Sequence, residues 1–162
     1  MPIRPSAATL TGTRVYLRPP DAGDANAFIA AARASSRLHG AWTSPPATRA
    51  RFDLYLQRFA GDMAKAKDAG FLVFRREDHA LVGVFNFSEI VRGLFQSTYL
   101  GYYGFAPYAG QGYMTEGMAL ALDIAHCPEV RLRPLRQKGG VTTTHPPGHG
   151  IARGHRRADP AS

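Results

Sequence analysis

The chain has 162 residues, 44% of them hydrophobic, a formal net charge of +8 and one cysteine. That length provides for one domain around a single core and excludes two ordinary enzyme domains. The charge is unevenly spread: residues 1–127 hold 13 Lys and Arg against 10 Asp and Glu, whereas residues 128–162 hold 7 against 2. The basic excess is thus concentrated in the last fifth and is not the footprint of a nucleic-acid-binding domain. No apolar run is long enough to span a bilayer, and the first residues lack the apolar stretch of a signal peptide. A cytoplasmic protein without a membrane partner is expected. The lone Cys127 excludes an internal disulfide and fits a reducing compartment.

Residues 13–18 alternate around Val15 and Leu17, which predicts a half-buried first strand ended by Pro19 and Pro20. Asp21 then offers an N-cap and Asp24 an acidic first turn, while Ala25, Phe28, Ile29 and Ala32 follow the helical period. Residues 42–48 form a proline-broken connection. Beyond it Phe52, Tyr55, Leu56, Phe59 and Met63 mark one face of a second helix, expected to run to about residue 68. Residues 71–76 and 80–90 are rich in Phe, Val and Leu and flank Glu77, Asp78 and His79, the pattern of a hairpin. Gly93 lies in the next turn, and residues 99–105 form another strand. The order of strand, helix, helix, three mostly antiparallel strands and helix indicates an α+β fold rather than a repeating βαβ array.

After that last strand comes Pro107-Tyr-Ala-Gly-Gln-Gly-Tyr-Met-Thr-Glu-Gly117, followed by a helix packing through Met114, Met118, Ala121, Leu122 and Ala125. Gly110 and Gly112 permit a tight backbone path at the start of that helix. The first N–H groups of a helix lack intrahelical acceptors and sit at the positive end of its dipole, an arrangement suited to a phosphate or pyrophosphate. A dinucleotide fingerprint fits less well, because it requires a third glycine where Thr115 stands. A tight turn without a ligand is the other alternative. Glu116 falls in the first helical turn, where the dipole favours a carboxylate for structural reasons.

Together, this loop, residues 83–103 and the opening Gly12-Thr-Arg-Val-Tyr-Leu-Arg-Pro19 resemble the GNAT acetyltransferase superfamily, and within it the Rim-type branch that acetylates N-terminal amines of ribosomal proteins. The similarity covers residues 10–136, taken as the acetyltransferase domain. It implies a GNAT-like fold with a mixed, mainly antiparallel sheet flanked by helices, incomplete at its C-terminus. The family's pyrophosphate loop, Gln/Arg-x-x-Gly-x-Gly/Ala, falls on residues 109–114; Ala109 and Met114 depart from it and Gly112 keeps it. Because backbone N–H groups do most of the holding, these departures weaken the motif without removing its mechanism. The resemblance implies acetyl-CoA as co-substrate and no metal. Coenzyme contacts would come from Leu100, Tyr102, Tyr103, Gly104 and Phe105 on a strand splayed from its next neighbour, and from Gly110, Gln111, Gly112, Tyr113, Met114 and Thr115 at the loop.

The acceptor implied is a protein N-terminus, such as that of a ribosomal protein. Many relatives carry a glutamate where Tyr99 stands; Glu89 is the nearest substitute as a catalytic group, and Tyr102 is a second candidate. Alternation places Tyr99 and Tyr103 on one face of the strand and Tyr102 on the other. Trp42, Arg37 and Arg49 lie in the connection that shapes the acceptor groove in the family, or are ordinary surface.

Residues 130–135 alternate weakly, and Pro134 limits them to an edge strand. Residues 137–162 have almost no core material and are expected to be a disordered basic tail. The abrupt change of composition is what translation in a wrong frame produces, so a frameshift near residue 137 is expected; reading the locus in the other two frames tests it. His126, Cys127, His145, His149 and His155 do not make a metal site, since Pro146 and Pro147 prevent the helix that would align them. The alternative to an enzyme is a degenerate, non-catalytic GNAT remnant whose basic tail makes weak RNA or ribosome contacts. That tail lacks the interleaved aromatics that stack on bases.

Overall fold

The computed structural model describes residues 9–126 and the backbone of Arg133–Gln137. Cys127, the histidines of the tail and the segment beyond Gln137 lie outside the described residues. Two short strands, β1 (Leu10–Thr11) and β2 (Val15–Arg18), open the chain as a small hairpin. A single 3₁₀ turn at Ala22–Asp24 leads into helix α1 (Ala25–Ala34), then α2 (Ser36–His39) and α3 (Arg49–Phe59). Strands β3 (Ala69–Arg75), β4 (Leu81–Val91) and β5 (Ser97–Gly104) follow, then helix α4 (Tyr113–His126) and strand β6 (Arg133–Gln137).

The strands form one sheet in chain order. Neighbours are antiparallel up to β5, and β6 joins β5 in parallel at the sheet edge. This is the mixed, mainly antiparallel arrangement expected, with the Pro134 segment at the edge. Alternation divides the side chains between two layers. Val15, Leu17, Phe71, Val73, Phe85 and Phe87 face α4 and bury Ala121, Ile124 and Ala125. Leu72, Phe74, Val84 and Tyr103 face the other way, against Phe28 of α1 and Phe52, Tyr55 and Phe59 of α3. Phe28 lies 5.2 Å from Phe52 and 5.3 Å from Tyr55, ring centre to ring centre. Burial of such a ring stabilises the fold by roughly 1.5–3 kcal/mol.

The start of α1 follows its sequence closely. Asp21 accepts from the Gly23 N–H at 2.7 Å, and Asp24 reaches back to the Asp21 N–H at 2.8 Å, giving a reciprocal cap. Asp24 has a further role: with Arg18 it forms a buried bidentate ion pair at 2.6 and 2.8 Å, which ties the end of β2 to α1.

Three expectations need correction. The helix predicted through Met63 to about residue 68 ends at Phe59, because Asp62 Oδ1 accepts the Ala64 N–H at 2.9 Å and folds the backbone into turns. Met63 is nonetheless buried, from that turn rather than from a helix face. In α4, Ile124 enters the core where Leu122 was expected to do so. The strand predicted from residue 13 begins at Val15, preceded by its β1 partner.

Candidate active site

The end of β5 is held at two points. The His39 ring, 2% exposed, donates through Nε2 to the Gly104 carbonyl at 2.8 Å, and the Ala106 N–H donates to Ser35 Oγ at 2.9 Å. A carbonyl can only accept, so Nε2 carries a proton, and the buried Nδ1 has no hydrogen-bond partner among the described residues. The tip of α1 and the whole of α2 therefore act as a brace that fixes where β5 ends and the loop begins. Nothing in the local sequence marks Ser35 or His39, because their partners lie 71 and 65 residues away.

From this anchor a 3₁₀ turn at Ala106–Tyr108 leads to the glycine loop. Gly110 and Gly112 both have left-handed backbones, with φ of 74° and 81°, which glycine adopts without a Cβ penalty. Helix α4 starts immediately after, and its first bond runs from the Glu116 N–H to the Gly112 carbonyl at 3.1 Å. The loop thus follows a tight, left-handed path straight into the first turn of α4. Met114 packs toward β4, where Gly83 leaves room for it.

The loop is backed by a polar cluster that sequence reading did not connect. Glu116 Oε1 accepts the Arg14 N–H at 2.6 Å and the Val15 N–H at 3.3 Å, and its Oε2 takes the Arg14 Nε at 3.0 Å. Partial burial pushes the Glu116 carboxyl up, but the Arg14 N–H, the Arg14 guanidinium and the Val15 N–H outweigh it and hold the group below its ordinary value. Glu116 is therefore a structural clasp between α4 and β2. Arg14 also donates to the Gln111 carbonyl at 3.0 Å and lies 4.8 Å from the Tyr113 ring centre. On the neighbouring strand, Arg75 stands 5.0 Å from the Tyr108 ring and pairs with Asp78, whose carboxyl its guanidinium holds at about 2.

On the opposite side of β5 is a cavity of about 150 Å³ lined by Thr43, Phe59, Asn86, Ser88, Gly101, Tyr102 and Tyr103. Its described lining is neutral, with an amide, hydroxyls and aromatic walls. The buried Tyr55 hydroxyl donates to Asn86 Oδ1 at 3.0 Å and orients that amide. Burial pushes the Tyr55 and Tyr103 hydroxyls well above their ordinary range, so both remain neutral donors.

The two sequence candidates for chemistry occupy different places. Glu89 sits at a break in the β4–β5 register, with a left-handed φ of 53° and its N–H bonded to Asp68 Oδ1 at 3.0 Å. It does not line the cavity. Tyr102 lies opposite Phe85, with ring centres 5.8 Å apart, and packs toward α4, whereas Tyr103 belongs to the other layer, as alternation predicts. The β5–β6 register runs from Ser97 to Leu100, and β5 continues to Gly104. Trp42 is 82% exposed; its neighbour Thr43 is the residue of that connection that reaches the cavity.

This order of strand, left-handed glycine loop and helix, with helices behind the sheet, is matched by a family model described as the acetyltransferase (GNAT) domain over residues 14–141. The chain belongs to the GNAT acetyltransferase family. A curated relative, named "Probable N-acetyltransferase YjcK" from Bacillus subtilis, is 31% identical over 77 residues, which cover 48% of this chain and 40% of that protein. The chain therefore matches well under half the length of that relative. Among solved structures, the ribosomal-protein-S5-alanine acetyltransferase of Vibrio fischeri superposes with a TM-score of 0.63 at 17% identity, covering 73% of this chain and 67% of that one. Mycobacterium smegmatis RimJ, in complex with CoA-disulfide, gives 0.63 at 21% identity, covering 73% and 58%. At these identities the likeness establishes a shared fold. No helix among the described residues is long and apolar enough to cross a membrane.

Proposed function

We propose that the chain transfers an acetyl group from acetyl-CoA to the N-terminal α-amine of a protein, in the manner of the Rim-type enzymes. The observation that carries this is the backbone run from β5 through Gly110 and Gly112 into α4. Left-handed glycines at a helix N-terminus can turn N–H groups toward a pyrophosphate. In the fold-related RimJ, the ligand is a CoA derivative. With the pyrophosphate at the loop, the pantetheine arm follows β5 and brings its thioester toward the backbone of Tyr102 and Tyr103.

The cavity beyond β5 then receives the acceptor. Its neutral lining suits an amine that reacts uncharged and offers no carboxylate to a polycation. An alanine acetyltransferase, such as the Vibrio fischeri relative, acts on a residue without a side-chain amine, which favours a main-chain acceptor. The chemistry agrees. With reference pKa values near 8 for an α-amine and about 10.4 for lysine, roughly a tenth of the former and under a thousandth of the latter is neutral at pH 7.

In the step itself, the amine nitrogen attacks the thioester carbonyl, the carbon–sulfur bond breaks, and the nitrogen's surplus proton leaves to water as the thiolate of CoA is released and protonated. A dedicated strong base is not required for such an amine. Asn86 and Ser88 place polar atoms in the lining that can orient it, and Glu89 at the end of β4 is the carboxylate proposed to receive the proton through water. Tyr102 is proposed as a wall of the coenzyme channel and a donor to the leaving sulfur.

A thiol-release assay tests this directly. Peptides beginning with a free alanine or serine should give CoA at a rate that depends on the peptide. The same peptides with a blocked N-terminus and an internal lysine should give none; equal turnover of both would overturn the α-amine assignment.

A further inference from the structure

Arg14 immediately precedes β2, far in sequence from the loop, yet its guanidinium closes one side of it. Nη1 donates to the Gln111 carbonyl at 3.0 Å, and Nη2 lies 3.1 Å from the position a Cβ would take on Gly112. The described backbone contains no cis peptide, so the C=O and N–H of the Gln111–Gly112 peptide point in opposite directions. Fixing the carbonyl toward Arg14 therefore fixes the Gly112 N–H toward the other side of the loop.

The guanidinium is itself held in place. Nε is bonded to Glu116 Oε2 at 3.0 Å, Nη1 is committed to Gln111, and the plane lies 4.8 Å from the Tyr113 ring. Glu116 is one turn into α4, so the clasp also fixes the loop relative to the helix whose N–H groups complete the cradle. A guanidinium already paired with a carboxylate contributes little free charge to a phosphate; its contribution is geometric. Substituting Gly112 would fail twice, through its left-handed φ and through the space Arg14 fills.

We infer that Arg14 is a positioning residue for the pyrophosphate of the coenzyme: by anchoring the Gln111 carbonyl it aims the Gly112 N–H into the anion cradle, with Glu116 holding Arg14 in place. This rests on the acetyl-CoA assignment above.

The test uses the full chain, with acetyl-CoA and with S-acetyl-pantetheine, a donor lacking the pyrophosphate. Arg14→Met should weaken acetyl-CoA binding by calorimetry tenfold or more and raise its KM in proportion. Its kcat, and its kcat/KM with S-acetyl-pantetheine, should stay within twofold of the unaltered chain. Arg14→Lys keeps one donor and should recover part of the loss; it carries the same comparison should the methionine variant not fold. Unchanged acetyl-CoA affinity in both variants overturns the inference, as does an equal loss with both donors, which marks general damage. Failure of the unaltered chain to bind acetyl-CoA overturns the coenzyme assignment itself.

Discussion

Met114 and Gly83 share one space: the Met114 methyl carbon lies 2.8 Å from where a Cβ on Gly83 would be, and the sulfur is closer still. The loop position at which the family uses a small residue is filled here by a long one, and β4 accommodates it by having no side chain. The long side chain on the loop and the absent one on β4 fit together. Alanine at Gly83 should destabilise the fold by roughly 1–3 kcal/mol, the usual cost of overpacking. Adding Met114→Ala should restore part of that and not all, because the Tyr103 carbonyl also lies 2.9 Å from the new Cβ. Urea denaturation of the four-member cycle measures the coupling. A Gly83→Ala protein as stable as the parent would refute the shared packing.

Asp24 and Asp21 lie three residues apart at the head of α1 and should differ sharply. Asp24 is half of a buried pair whose side chains are 8% and 9% exposed, and its loss takes the bidentate partner from the buried Arg18 guanidinium, leaving it the Pro19 carbonyl at 3.1 Å and the exposed Asp21 carboxylate at 3.6 Å. Asp24→Ala should therefore cost about 3–5 kcal/mol. Asp21 is 62% exposed and acts as a cap, so Asp21→Ala should cost about 1 kcal/mol. Chemical denaturation of the two variants checks the ranking, and similar losses would contradict it.

Much of this architecture could be read in the residues, and the exceptions share a cause. Helix α1 and the β3–β4 hairpin have local signals: an acidic cap, a helical period, and apolar runs around a polar turn. The loop glycines were legible because left-handed backbone selects for glycine. Arg14, Ser35 and His39 were not, since each is defined by a partner more than 60 residues away and local patterns carry no record of such contacts. The helix expected to continue past Phe59 stopped because one Asx turn at Asp62 outcompeted an apolar period that Met63 happened to extend.

Acid stability should report the Arg14 clasp. Glu116 has a folded pKa below its ordinary 4.5, so the unfolded chain takes up the proton first. Its contribution is present above that value and is lost as pH falls through the lower folded one. Asp68 behaves likewise: partial burial raises it, but Arg58 and the Glu89 N–H outweigh that and leave it below 3.8. Glu116→Gln should lower stability at pH 7 and flatten its decline below pH 4.5. Thermal melts across that range measure the slope, and an unchanged slope would show that the carboxylate is not stabilised by these donors.

On the side of β5 proposed to receive the acceptor, Tyr55→Phe removes the hydroxyl that orients Asn86. Loss of about 1 kcal/mol of hydrogen bonding should appear as a several-fold rise in peptide KM, with acetyl-CoA affinity unaltered. An effect confined to acetyl-CoA would place Asn86 on the wrong side of β5.

Backbone amide mapping by NMR during titration with acetyl-CoA tests the central claim most directly. Binding should perturb the amides of Gly110, Gln111, Gly112, Tyr113, Met114 and Thr115 together with those at the end of β5, at saturating and stoichiometric coenzyme. Saturation without any change at the loop, or no binding at all, would contradict the assignment of Gly110 and Gly112 as the pyrophosphate cradle.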